Sequence, residues 1–366
     1  MMTSPKSSYS LGVSLIAMVG LLFGCNVGFE HTPVAVDLHQ ADTSADLQDA
    51  DLDLEDTVDT EAIAVDTLVD LELDSDADTA LTFSDANCSL LAGFTDQWEC
   101  LGAPACSGAL LQTRYAEGDV SVTVVCPEPP DKVWYPYRSG WQRSFAFGTP
   151  TDLHMMATWS TPGVDGAVLV TRTFNDLLDW SRCELGNCDG VAPFQFGPSG
   201  GKPFVGDLDG DGLDEFFVYS DDGLLATMTQ SSTPPPWASL SGRSQNHLEV
   251  YDAPLPAGTG ITRMLAFLDL QAGTLDSFDK AHVALGAVSV PTGNAAIFGN
   301  VDVDPEDELL VCAAGELIVY DLVSASVLAT HLLPAGTECT PGFEVGPTGT
   351  HVLAYLPVAG LLLRAK

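Results

Sequence analysis

The sequence predicts an all-β fold, a β-propeller of about five to six four-stranded blades, and two observations carry that prediction. A loop of alternating acidic residues that opens directly onto a β-strand occurs twice, as GDLDGDGLDEFFVY from Gly206 to Tyr219 and as GNVDVDPEDELLV from Gly299 to Val311. Strands of similar character then start at Gly166 (GAVLVT), Glu215 (EFFVYS), Arg263 (RMLAFL), Glu308 (ELLVCA) and His351 (HVLAYL), in steps of 49, 48, 45 and 43 residues. Four-stranded blades recur at about 40 to 50 residues, longer than solenoid repeats of about 20 to 35. Two of the repeats also share an opening Phe-Gly, at Phe147 and Phe196.

The loops carry the chemistry of a hard cation. In the first, Asp207, Asp209 and Asp211 stand at relative positions 1, 3 and 5, the Leu213 carbonyl falls at 7 and Glu215 at 9, a spacing that folds oxygen donors around one ion. Gly210 and Gly212 supply the tight backbone such a wrap needs. In the second, Asn300, Asp302, Asp304 and Glu308 take the same donor places, with Glu306 at the seventh. EF-hand and dockerin loops begin in the same way but continue into a helix, whereas FFVY and LLV are strand sequences.

This pattern resembles the FG-GAP repeat of calcium-binding β-propellers, the family that includes integrin α-subunit heads and many bacterial surface proteins. The resemblance implies calcium as a structural cofactor that stiffens a blade, and a role in binding or adhesion. The stretch near Trp159 has Thr158, Ser160 and Pro162 in place of carboxylates, and the one near Asp269 has Gln271 and Gly273, so neither is expected to hold metal. Asn300, Val303 and Pro305 make the second acidic loop the weaker site.

At the N-terminal end, Lys6 precedes an apolar run from Leu11 to Phe23, the form of a secretory signal and too short for a transmembrane helix. Its end, Leu22-Phe23-Gly24-Cys25, resembles the lipobox of bacterial lipoproteins. That resemblance implies a signal peptide at 1–24, lipid on Cys25 as the membrane attachment and, because Asn26 and not Asp follows, the outer membrane of the cell envelope.

Residues 25–81 are expected to be a disordered acidic linker. Sixteen acidic residues lie between Asp37 and Asp78, and no Lys or Arg occurs between Lys6 and Arg114. Such a segment repels itself and cannot bury enough apolar surface to offset its ordering entropy. The formal charge of −38, with 13 basic residues in 366, also argues against a nucleic-acid partner.

Cysteine usage fits an exported chain. With Cys25 lipidated, eight of the nine cysteines remain, an even number for an oxidising compartment. Cys183 with Cys188 and Cys312 with Cys339 are the expected pairs, while Cys88, Cys100, Cys106 and Cys126 leave three pairings open, with a zinc site as the competing possibility. These four fall in segment 82–145, which is expected to be a first blade or a small disulfide-held subdomain ahead of the repeats at 146–366. A blade is favoured because DVSVTVVC is a strand and Val120 lies 46 residues before Gly166. Strands from both ends of a chain can close such a ring.

No HExxH or phosphate-loop motif is present. Trp134, Tyr135, Tyr137 and Trp141 form an aromatic cluster that serves either core packing or sugar stacking. The expected function is a binding or adhesion module for an unknown protein or glycan ligand. The alternative is an enzyme acting on extracellular glycans, a hydrolase or lyase, and carboxylates and arginines converging on the central channel would favour it.

Overall fold

The structure is a computed structural model that describes Phe83 and residues 85–172, 176–184, 193–220, 223, 225–228, 247–254, 260–280, 283–302, 304–347 and 349–366. These fall in one compact unit, Glu72–Lys366. Cys25, Cys188 and the acidic segment from Asp37 to Asp78 lie outside the described residues.

Among the described residues every sheet is antiparallel, and the strands fall into six groups. The first has β2 (Ala109–Arg114), β3 (Val120–Glu128), β4 (Asp131–Tyr137) and β5 (Phe145–Ala146). The second has β6 (Leu153–Thr161), β7 (Val164–Arg172), β8 (Leu177–Glu184) and β9 (Phe194–Pro198). The third has β10 (Lys202–Gly206), β11 (Glu215–Tyr219) and β12 (Leu225–Met228). The fourth runs β13 (His247–Pro254), β14 (Ile261–Asp269), β15 (Thr274–Phe278) and β16 (Ala284–Ser289). The fifth runs β17 (Ala295–Gly299), β18 (Glu308–Ala313), β19 (Glu316–Asp321) and β20 (Ser326–Leu332). The sixth combines β21 (Thr340–Gly346), β22 (Gly349–Leu356) and β23 (Leu361–Ala365) with β1 (Trp98–Cys100), and a single pairing of Val345 with Val120 links it to the first group.

The first strands β2, β6, β10, β13, β17 and β21 each lie against the next, and β21 returns to β2. Six apolar clusters fill the spaces between successive groups, including the space between the sixth and the first. The fold is therefore an all-β propeller in which the second strand of each group is buried on both faces by the neighbouring sheets. This explains the legible strands: along β11, Phe216 and Val218 pack toward the second group while Phe217 and Tyr219 pack toward the fourth. A strand covered on both faces reads as a continuous apolar run, without polar alternation. Gly166, Glu215, Arg263, Glu308, His351 and Val120 all fall on the second strand of a group.

The Phe-Gly pairs do not open a repeat; they finish one. Phe145 and Phe194 stack on Trp134 and Trp180, whose indole N–H groups donate to the Phe147 and Phe196 carbonyls at 3.0 and 2.9 Å. The glycine that follows turns the chain toward the next group. Gly148 and Gly197 have φ of +86° and +79°, and a Cβ there would sit 2.3 Å from Leu169 Cδ1 and 2.4 Å from Val218 Cγ2, so only glycine fits both the backbone and the space.

Three disulfides are described: Cys88 with Cys100, Cys106 with Cys126, and Cys312 with Cys339. They select one of the three pairings open in the sequence, and cysteines so engaged supply no zinc site. Cys183 is disulfide-bonded as well. Trp134, Tyr137 and Trp141 are buried, which makes them core and removes them from any sugar-stacking surface.

Candidate functional site: two acidic loops and an axial cavity

The acidic loops join the first strand of a group to its second, β10 to β11 and β17 to β18. Both hairpins close in one register, Gly206 opposite Glu215 and Gly299 opposite Glu308. Their internal hydrogen bonds repeat as well. Glu215 Oε2 accepts the Leu208 N–H at 2.7 Å and Glu308 Oε2 accepts the Val301 N–H at 2.8 Å. The Asp209 and Asp302 carboxylates each accept the N–H two residues on, at 3.0 and 2.8 Å, and those of Asp211 and Asp304 do the same at 2.8 and 3.2 Å. The sequence repeat is thus a repeat of three-dimensional structure.

In the first loop, Asp207, Asp209 and Glu215 each bring one oxygen to within 4.8 Å of the other two. Buried Asp207 accepts the Gly210 N–H at 2.7 Å and the Gly212 N–H at 2.8 Å. Asp211 is exposed and is not one of the three clustered carboxylates. In the second loop the cluster is Asp302, Asp304 and Glu308. Glu306 is not one of the three clustered carboxylates, and the Asn300 amide donates to the Asp304 carbonyl.

Each cluster is a set of hard oxygen donors, a chemistry suited to a divalent metal ion. The electrostatics agree. Burial, followed by the charges of Asp209, Asp207 and Asp211, pushes Glu215 up to about 7 against the Leu208 hydrogen bond. Burial, with Asp302, Asp304 and Asp307 adding to it, pushes Glu308 up to about 7. Carboxylates so crowded gain from a cation that neutralises them.

The other two departures from the repeat differ in kind. Near Trp159, β6 and β7 are joined by a tight hairpin at the same place in the group. Asp269 instead ends β14 and begins the turn to β15, so this stretch is not equivalent to the acidic loops.

Sequence reasoning missed the residues directly before the two glutamates. Asp214 donates its N–H to the Thr158 carbonyl at 2.7 Å and accepts the Thr158 N–H at 2.7 Å. Asp307 treats Asp252 in the same way, at 3.0 and 2.7 Å. Asp165, before Gly166, accepts the Arg114 N–H at 2.7 Å. Each aspartate reaches from the start of a second strand to the first strand of the preceding group. The signal was present in the sequence as an acid immediately before three of the strand starts.

These staples surround an axial cavity of about 410 Å³, bordered by Gln112, Met156, Val205, Val250, Ile297 and Phe343, one from each first strand. Two arginines reach it. Arg114 pairs with Asp165 at 3.0 Å and with Asp214 at 2.7 Å. Burial disfavours its charge, but the two carboxylates more than offset this and hold its pKa above the ordinary value. Arg263 pairs with Asp207 at 2.9 Å and with Asp252 at 3.2 Å, tying the first acidic loop to the fourth group.

No family model and no curated protein matches the chain. Solved structures that are β-propeller-like resemble it. BBS1N in complex with ARL6DN is 14% identical at a TM-score of 0.43, covering 70% of this chain and 78% of that one. Virginiamycin B lyase from Staphylococcus aureus is 10% identical at 0.43, covering 70% and 79%. SapL1 lectin in complex with alpha methyl fucoside is 10% identical at 0.43, covering 73% and 94%. Likenesses at this level identify no ligand and no chemistry for this chain.

Proposed function

We propose that the chain is a lipid-anchored protein of the bacterial outer membrane whose head, a six-bladed propeller of FG-GAP-like repeats, serves as a binding or adhesion module stiffened by calcium. The observation that carries this is the pair of acidic loops with one register and one hydrogen-bond pattern, each gathering three carboxylates. Asp207, Asp209 and Glu215 would hold the first ion, and Asp302, Asp304 and Glu308 a weaker second. The ion supplies positive charge that lets a crowded loop stay folded beside the Arg263 contact. Cys25 carries the lipid, and the ligand is a protein or a glycan. The test is thermal melting in millimolar calcium and in chelator. A metal bound only by the folded state raises the melting temperature, and Asp209→Ala removes most of that rise. Equal melting in both conditions overturns the calcium assignment.

A second reading has its own support. Carboxylates and arginines converge on the axial cavity, the arrangement expected of an enzyme acting on extracellular glycans. Turnover in a glycan panel, lost on substitution of Asp252, would favour it.

A further inference from the structure

The two acidic loops belong to the third and fifth groups. The fourth group stands between them and joins β13 to β14 by LPAGTG, a connection without a carboxylate. In its place this hairpin sets Asp252 directly opposite Arg263. Arg263 Nε meets Asp252 Oδ1 at 3.2 Å, while Nη1 meets Asp207 Oδ2 at 2.9 Å and donates to the Asp207 carbonyl at 3.2 Å. Asp252 is clasped in turn by Asp307, which accepts its N–H at 2.7 Å and donates to its carbonyl at 3.0 Å. Glu308, the next residue, belongs to the second cluster. An unbroken run of contacts therefore joins one cluster to the other.

At each end this run reaches a metal donor. Buried Asp207 accepts the Gly210 and Gly212 N–H groups on its two oxygens, and the guanidinium completes a cradle that leaves the carboxylate one orientation. Partners of this kind set the direction of a metal-binding carboxylate. At the other end, Glu308 follows Asp307 and accepts the Val301 N–H, so a fixed Asp307 fixes both sides of the second loop. Arg263 and Asp252 keep side-chain exposures of 34% and 31%, against 1% for Asp207. The bridge has room to shift, whereas the donor has none.

We propose that Arg263 is a positioning residue shared by the two metal sites, and that calcium in the first loop raises the affinity of the second through Arg263, Asp252 and Asp307. An ion on Asp207 orders the cradle and the arginine with it, so the second ion meets a loop that is already partly ordered. Linkage makes the effect reciprocal, and the second ion strengthens the first by the same factor. Lysine is no substitute, because one ammonium on a flexible stem does not hold two carboxylates in a fixed fork. The inference rests on the calcium reading of the loops and adds their linkage.

The test is a calorimetric titration of calcium into the full chain at physiological salt. Asp209→Ala and Asp302→Ala each leave one loop, and the two substitutions together measure diffuse uptake by the acidic N-terminal segment. Coupling is the affinity of a loop beside a filled partner divided by its affinity beside a disabled one, and about fivefold or more is expected in the wild type. It is expected to vanish when the same set is built on Arg263→Lys or on Asp252→Asn. Because the ratio is taken within each background, a variant that merely loosens the fold moves both terms alike. Asp252→Asn keeps its backbone bonds to Asp307 and carries the test if Arg263→Lys does not melt cooperatively. Coupling that persists in both backgrounds, or loops that titrate independently in the wild type, overturns the proposal and leaves the calcium assignment standing. Calcium in one loop alone also overturns it. If neither loop takes calcium saturably, the calcium assignment fails and the linkage falls with it.

Discussion

Asp214 grips both backbone groups of Thr158, donating its N–H to the carbonyl and accepting the N–H on its carboxylate, each at 2.7 Å. The two residues belong to adjacent sheets, so the contact does for sheet packing what a ladder pair does within a sheet. Asp214→Ala leaves a buried N–H unserved and takes one of two carboxylates from Arg114. The expected loss is roughly 3 kcal/mol, read from urea denaturation midpoints. Asp307→Asn, which keeps its acceptor, is expected to cost no more than about 1 kcal/mol. Equal costs for the two variants would mean that neither the lost acceptor nor the charge near Arg114 contributes.

The two glycines with similar backbones should respond differently to alanine. Gly197 and Gly210 have φ of +79° and +83°, but a Cβ on Gly197 meets Val218 at 2.4 Å whereas none of the neighbouring atoms comes within 4 Å of one on Gly210. Gly210→Ala bears the backbone cost alone, about 1 to 2 kcal/mol. Gly197→Ala adds overpacking of about 1 to 3 kcal/mol. Melting of both in chelator tests this, since calcium would mask a change in the Gly210 loop.

The raised glutamates set a pH dependence. Glu215 and Glu308 move from 4.5 in the unfolded chain to about 7 in the folded one. Between those values the folded state holds more protons than the unfolded state, so this contribution stabilises the metal-free protein at low pH and is lost as pH rises toward 7. Calcium must displace the protons, so its affinity is expected to strengthen from pH 5 to about 7 and level off above. Calcium titrations across that range, and a flatter stability profile in Glu215→Gln with Glu308→Gln, are the checks. Affinity that does not change with pH would contradict the assignment.

The bond between Cys88 and Cys100 fixes the strand that completes the sixth group. Cys100 ends β1, which pairs with β23 from Trp98 opposite Ala365 to Cys100 opposite Leu363. Replacing both cysteines by serine should cost about 2 to 4 kcal/mol and leave β23 more often without its edge partner, a template for aggregation. Light scattering during storage, compared with a Cys312→Ser and Cys339→Ser pair, distinguishes loss of the edge cover from general destabilisation.

Cys25→Ala is expected to abolish metabolic lipid labelling of the chain. Labelling that persists would remove the anchor.

The second strands were legible because neighbouring sheets cover both their faces, as in the fully buried EFFVY of β11. The outer strands were not, because β16 is exposed along its whole length and carries no pattern to read. The acidic loops were legible through donor spacing, which is local. Asp214 and Asp307 were passed over because their partners, Thr158 and Asp252, lie 56 and 55 residues away, beyond anything a loop motif encodes. The Phe-Gly pairs were visible, yet their place at the end of a group depends on Trp134 and Trp180 across the sheet.

The pairing of β1 with β23 has a consequence for biosynthesis. Glu99 and Arg364 lie opposite each other although 265 residues separate them. Were the chain exported from its N-terminal end, as proposed, β1 would cross the membrane before the rest of the head and wait for almost all of it to follow. Ring closure is a late step governed by the arrival of the last strand, and long-range pairing of this kind is slow. The Cys88 to Cys100 bond spans only 12 residues, so it could form before the last strand emerges. It would hold β1 in a small closed loop until its partner emerges.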